Sequence, residues 1–214
     1  MLLFNLARRK MGTTRLHRTA AQTRRAELTS QLHASLGDKV LAGPFAGMVL
    51  PTDISWRDGD FLPKLIGSYE SNLRAVLAQA IERGPVTVIN VGCAEGYYAV
   101  GLARLLPKAT VYAFDIAAEA GAICARAAGE NGVAQRVIVD GRCTTEHLAK
   151  MVENSGRTLL VMDCEGAERE LLDPAKLPGL AKCDVIVETH GSDIVAELEA
   201  RFRPSHEVNR LAQS

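Results

Sequence analysis

The chain has 214 residues, 47% of them hydrophobic, and its 25 basic and 25 acidic side chains cancel to a formal net charge of zero at pH 7. One domain of ordinary globular composition fits, with no apolar run long enough to span a membrane and no overall charge attracting nucleic acid or acidic substrates. The five cysteines (Cys93, Cys124, Cys143, Cys164, Cys183) form no Cys-x-x-Cys pair, which argues against a disulfide framework or a structural zinc and for a reduced, cytoplasmic setting.

Residues 1–26 carry seven basic side chains (Arg8, Arg9, Lys10, Arg15, Arg18, Arg24, Arg25) and no acid. Their apolar residues precede the charges, the reverse of a secretory signal. Three readings stand: a solvated, partly helical arm, an Arg-rich presequence, or a patch touching an anionic surface such as lipid or nucleic acid. Sparse aromatic interleaving argues against base stacking. A short helix over 27–36, closed by Gly37, completes an arm of residues 1–36. Residues 37–64 read as a small extended or loop segment, with a turn-rich hairpin over 40–51 and Trp56 in a polar loop, where it covers a core edge or lines a pocket. A third unit, 65–214, opens with a helix whose face is Leu73, Val76, Leu77, Ala80 and Ile81, ended by Gly84. Glu70 there suits the positive end of the helix dipole.

Val86, Val88, Ile89 and Val91 form a β-branched run too short for a helix, bounded by Gly84-Pro85 and Gly92. It reads as a strand buried on both faces, as in a parallel sheet. Gly92 and Gly96 then open a helix (Val100, Leu102, Leu105, Leu106) stopped by Pro107. Such a corner presents free backbone N–H groups to a ligand with no Cβ in the way. Ala94 breaks the Gly-x-Gly-x-x-Gly spacing of a dinucleotide site, which counts against a nicotinamide cofactor and suits a bulkier cofactor end carrying a carboxylate, such as that of S-adenosyl-L-methionine. The next strand, 110–116, ends in Asp115, 23 residues after Gly92, placed to accept from ribose hydroxyls or to cap the following helix.

Strand and helix then alternate: helix 117–130, strand 136–140, a helix capped by Thr144 or Thr145, strand 158–162, helix 167–172, strand 184–188, and helix 193–202 capped by Ser192. That is a doubly wound, mainly parallel Rossmann-like α/β sheet, with every strand's carboxyl end on one rim. Asp163, Glu165 and Glu168 load one strand end; Glu168 falls in a first helical turn, where the dipole accounts for it. His190 follows the next strand, and its neutral-range pKa suits it to take a proton from a hydroxyl; a satisfied loop histidine is the alternative. Asp163, Glu188 and His190 also allow a Mg²⁺ site, without diagnostic spacing.

Three stretches in order, Asn90-Val91-Gly92-Cys93-Ala94-Glu95-Gly96-Tyr97-Tyr98, Val111 to Asp115 and Leu160 to Glu168, resemble the motifs of FkbM-type methyltransferases, members of the class I S-adenosylmethionine-dependent enzymes. The resemblance runs from about residue 65 to 190. It departs at Asn90, where the family carries an acid, at Asp115, one methylene shorter than the family's Glu, and at Ile116, in place of a proline. It implies S-adenosyl-L-methionine as cofactor, held by Asn90, Gly92, Ala94, Gly96, Asp115 and Asp163. Asp140 and Gly141 would lie at the adenine, although Arg142 stands where an acid often falls, and Glu70 at the methionine ammonium. His190, Asp163 or Glu165 would take the proton of a hydroxyl on a small-molecule or glycan-like acceptor. The class closes its sheet with an antiparallel seventh strand. Here a sixth strand is expected from His206 and the final hairpin is expected to be incomplete. A non-catalytic module derived from such an enzyme and an NAD-linked oxidoreductase are the alternatives.

Overall fold

The structure, a computed structural model, describes residues 2–5, 20–51, 60–164 and 166–211. Trp56, Glu165 and the basic residues Arg8, Arg9, Lys10, Arg15 and Arg18 lie outside them. In chain order the elements are β1 (Leu2–Asn5), α1 (Ala20–Leu36), α2 (Phe61–Ile66), α3 (Arg74–Glu82), β2 (Thr87–Val91), α4 (Tyr97–Leu105), β3 (Thr110–Phe114), α5 (Ala118–Glu130), β4 (Val137–Asp140), α6 (Thr145–Asn154), β5 (Thr158–Met162), α7 (Glu168–Leu171), β6 (Asp184–Thr189), α8 (Ser192–Phe202) and β7 (Asn209–Leu211).

These strands form one sheet in the order β4-β3-β2-β5-β6-β1-β7, and every strand pairing is parallel. All five residues of β2 are buried, as a central strand requires when helices cover both faces. Side chains alternate across the sheet: Val88 joins a core with Leu102, Val111 and Leu159, while Ile89 and Val91 join another with Leu148, Leu160 and Leu198. The chain reverses its winding between β2 and β5, the topological switch point beside which ligands bind in open α/β sheets.

The structure differs from the sequence reading at particular places. The boundary between 64 and 65 falls inside α2, and the preceding hairpin segment shares the main core through Val40, Phe45, Met48 and Leu50. The ring of Phe45 fills the space a side chain at Gly101 would need, so the hairpin is seated directly on α4. Residues 1–36 carry the helix α1 and, unexpected from the sequence, open with β1, which pairs Leu2 with Ile186 on one side and with Asn209 on the other. The edge of β6 is therefore covered by the chain's own N-terminus, parallel to it, and β7 pairs outside that strand. A bare parallel edge would leave a row of backbone donors and acceptors unpaired, which gives this short strand its purchase. Ser192 proves to be the first residue of α8 rather than its cap; Gly191 precedes it at φ 134°.

Candidate active site

The rim corner is built by backbone first. Gly92 leaves β2 at φ 78°, and a Cβ there would fall on the carbonyl oxygen of Asp163, so glycine lets the ends of β2 and β5 cross closely. Gly96, at φ 92°, would place a Cβ 2.8 Å from Cys124 Sγ and so lets α4 abut α5. Both glycines thus have a packing reason beyond ligand access. Between them Ala94 adopts φ 47°, uncommon for a residue with a Cβ. Its N–H donates to Asp115 Oδ2 at 2.9 Å, while Ala117 N–H donates to Asp115 Oδ1 at 2.9 Å. One carboxylate pins the glycine loop and starts α5, and each oxygen keeps acceptor capacity for a ligand hydroxyl.

A cleft of about 600 Å³ opens over this corner, lined by Gly92, Ala94, Asp115, Gly141, Cys143 and Asp163. Phe61 of α2 and Leu171 of α7 face it from the other side, and Arg142 stands at its wall. Asp140 does not join the lining: it is exposed, and its Oδ1 accepts from the N–H of Gly141 at 2.7 Å. Its short side chain closes a local turn beside Gly141, which does line the cleft. Thr144 caps α6, its Oγ1 accepting from His147 N–H at 3.2 Å.

Behind the cleft lies a smaller cavity of about 60 Å³, whose wall carries Glu70, Asn90, Glu95, Asp163, Glu188 and Lys64. Lys64 is paired with Glu95 in a buried ion pair, and its ammonium lies 4.7 Å from the Tyr69 ring centre and 5.6 Å from that of Tyr97. Neither Lys64 nor Glu95 stands out in the sequence, because their partnership spans a loop and 31 residues. Asn90 is 2% exposed; its Nδ2 donates to Val161 O at 3.4 Å, and among the described residues its Oδ1 has no hydrogen-bond partner. Glu70 is not a first-turn helical acid. It sits at φ 44° ahead of a 3₁₀ turn and accepts a hydrogen bond from Tyr98. Burial pushes its carboxyl above the usual range; hydrogen bonds from Tyr98 and Tyr69 oppose that without cancelling it, and the nearby charge of Asp163 adds to it.

His190 follows β6 on the same rim. Its Nδ1 lies 2.9 Å from Oε1 of Glu168, a side chain with 0% exposure. Burial works against the charge of Glu168, but hydrogen bonds from His190 and from backbone N–H groups outweigh it and hold the carboxyl below its ordinary range. Accepting at Nδ1, Glu168 assigns the proton there and turns Nε2 outward, 3.5 Å from Asp163 Oδ1 and 3.6 Å from Glu188 Oε1. Asp163, Glu188 and His190 each offer a ligand atom, all within 4.8 Å of one another. Sequence reasoning accounted for Glu168 by the helix dipole alone; its part in the cluster depends on complete burial, which no local pattern distinguishes from an exposed first turn.

The sheet and its rim define a Rossmann-like, doubly wound α/β fold. No protein-family model and no curated protein matches the chain. Among solved structures, the chain is similar to the O-methyltransferase TomG of Streptomyces achromogenes, involved in tomaymycin synthesis and determined with SAM (14% identity, TM-score 0.44, 81% of this chain and 66% of that one). It is also similar to an O-methyltransferase of Bacillus cereus in complex with SAH (17% identity, TM-score 0.41, 77% of this chain and 65% of that one). A third is precorrin-6y C5,15-methyltransferase of Geobacter metallireducens (11% identity, TM-score 0.46, 62% and 71%). The chain thus spans about two thirds of the length of these proteins. Among the described residues no helix is long and apolar enough to cross a membrane.

Proposed function

We propose that the protein is an S-adenosyl-L-methionine-dependent methyltransferase acting on a hydroxyl oxygen of a small-molecule or glycan-like acceptor. The observation that carries this reading is the charge of the cleft's inner end. Glu70, Asp163 and Glu188 wall it, and Lys64 is already committed to Glu95. An inner end of that sign takes a cationic group, the sulfonium and ammonium of the methionine end; a dinucleotide would bring a pyrophosphate against the same carboxylates. The remaining assignments follow. Asp115 holds the ribose, Gly92, Ala94 and Gly96 shape the corner, Gly141 and Cys143 flank the base, Asn90 Oδ1 and Glu70 accept from the ammonium, and Asp163 faces the methyl group.

The sulfonium methyl carbon is electrophilic when the cofactor is bound. This chain's part is to hold the acceptor oxygen about 3 Å away and in line, with water kept out. Asp163 and His190 stand where the acceptor's proton departs, and Glu168 keeps the imidazole turned toward them. Glu165 remains a sequence-based candidate for the same task.

The test is thermal denaturation of the protein with S-adenosylmethionine, S-adenosylhomocysteine or NAD, beside the Asp115→Ala variant. At about a hundred times its dissociation constant a ligand adds about 2.7 kcal/mol to the folded state. The expected result is stabilisation by both adenosyl compounds, lost in the variant, and none by NAD. Stabilisation by NAD alone overturns the reading, as does a cooperatively unfolding protein that responds to neither adenosyl compound. Cofactor binding without turnover on any hydroxyl acceptor would favour a non-catalytic module.

A further inference from the structure

We propose that Arg142 reads the base of the bound nucleoside through its ring acceptors, so that the cleft takes a 6-oxopurine nucleoside at least as readily as an adenine one. The inference deepens the reading above, because it takes Asp115 as the holder of the ribose, and the experiment below lets the two fail separately.

The sheet fixes where a base falls. Strands β5, β2, β3 and β4 lie side by side in the order β4-β3-β2-β5, and Phe114 pairs with Asp140, so the chain leaves β3 at Asp115 beside the point where it leaves β4 at Gly141. Neighbouring strands stand about 4.8 Å apart. A nucleoside with its sulfur-bearing end where β2 and β5 approach each other and its ribose at Asp115 therefore carries its base over the end of β4. Gly141, Arg142, Cys143 and Thr144 line the cleft there. Ile116 lines it too and is 79% exposed, an apolar side chain that a flat ring would cover.

The side chain available to a base at that end is a donor. The Arg142 guanidinium carries five N–H donors and no acceptor, and among the described residues it meets no hydrogen-bond or ion-pair partner. Lys64, the other cation in the lining, is paired with Glu95. Asp140, the carboxylate of the same strand end, stays out of the lining and accepts from the N–H of Gly141, while Thr144 Oγ1 is engaged in capping α6. The carboxylates that do line the cleft, Asp60, Glu95, Asp115, Asp163 and Glu170, all come from other elements.

Purines differ at the edge such a donor meets. Adenine offers N7 beside the N6 amino group, an acceptor beside a donor, whereas guanine and hypoxanthine offer N7 beside O6, two acceptors. A guanidinium fork matches the pair of acceptors; on adenine it finds one acceptor and sets N–H against N–H at the other position. Exchange of the amino group for an oxo group thus gains a hydrogen bond here and leaves no side-chain carboxylate of the β4 end unpaired.

The test is calorimetric titration of the full chain with S-adenosylhomocysteine and with S-inosylhomocysteine, which differ only at purine position 6 and the proton on the adjoining ring nitrogen. The expected result is that the inosyl compound binds within about threefold of the adenosyl one, or more tightly. Arg142→Ala, which removes an exposed side chain, should weaken the inosyl compound by about tenfold or more and the adenosyl compound by less than about threefold. A wild type that favours the adenosyl compound by more than about threefold overturns the inference and leaves the methyltransferase reading standing. An Arg142→Ala variant in which both affinities change alike, or neither changes, overturns it as well. Binding of the inosyl compound alone keeps the inference and sinks the S-adenosylmethionine reading; binding of neither sinks both.

Discussion

Asp115 and Glu70 show how one side chain serves fold and ligand together. Asp115 satisfies two backbone N–H groups in the described structure, so its loss costs about 1–2 kcal/mol before any ligand is considered. The ligand response of Asp115→Ala is therefore read against that variant's own baseline. Glu70 works in the opposite sense. Its folded carboxyl lies above the unfolded value of 4.5, chiefly through burial. Between those two values the native state binds more protons than the unfolded chain, so this group's contribution to stability falls as pH rises through that window. Glu70→Gln removes the charge and leaves an amide oxygen to accept from Tyr98. Its melting temperature should exceed the wild type's at pH 8, with the difference fading as the pH approaches 4.5. A variant less stable at pH 8 would show that the carboxylate is compensated by a partner charge. The same substitution should weaken S-adenosylmethionine binding, a case of stability exchanged for a site.

At the scale of elements, β1 is the piece whose removal is most telling. It pairs with β6 on one side and β7 on the other. Deleting residues 1–5 exposes the edge of β6 and leaves β7 without its partner. At about 1 kcal/mol net for each backbone hydrogen bond lost, and ~2–4 °C per kcal/mol at this chain length, the melting temperature should fall by several degrees. Hydrogen exchange should speed up in β6 and β7 and stay slow in β2 and β3; unchanged protection in β6 would show that β1 adds nothing to the sheet. This strand was not legible beforehand. Four residues ahead of a basic run carry no alternation, and the partner Ile186 lies far along the chain. By contrast, β2 to β6 were legible to within a residue or two, because each is a β-branched or apolar run punctuated by glycine, proline or charge. The site divides in the same way. Asp115, Asp163 and His190 could be singled out because strand ends are positions the topology brings to one rim. The contacts of Lys64, Glu95 and Glu168 were not legible because they depend on burial against distant elements, and the turn bond of Asp140 was not because a short side chain at a strand end is as able to bond its own turn as to reach a cleft.

For the molecule as a whole, a net charge of zero conceals an uneven distribution. Residues 1–26 hold seven of the basic side chains and no acid, so residues 27–214 hold the other 18 together with all 25 acids, a net charge of −7. A basic segment on one copy and an acidic body on another attract each other with no net charge to keep copies apart, and the sequence pI of about 7.0 places that condition at neutrality. An attraction between charges on separate copies is screened over a Debye length of about 10 Å at 0.1 M salt, roughly twice as far at 20 mM. At pH 7 the weight-average mass from light scattering should therefore rise with protein concentration in 20 mM NaCl and lose that dependence in 300 mM. Replacing Arg8, Arg9 and Lys10 by Gln should remove the effect at low salt. A mass that ignores salt would mean that the contacts between copies are apolar. The exposed Leu28, Leu32 and Leu36 of α1 are the side chains to which attention would then turn.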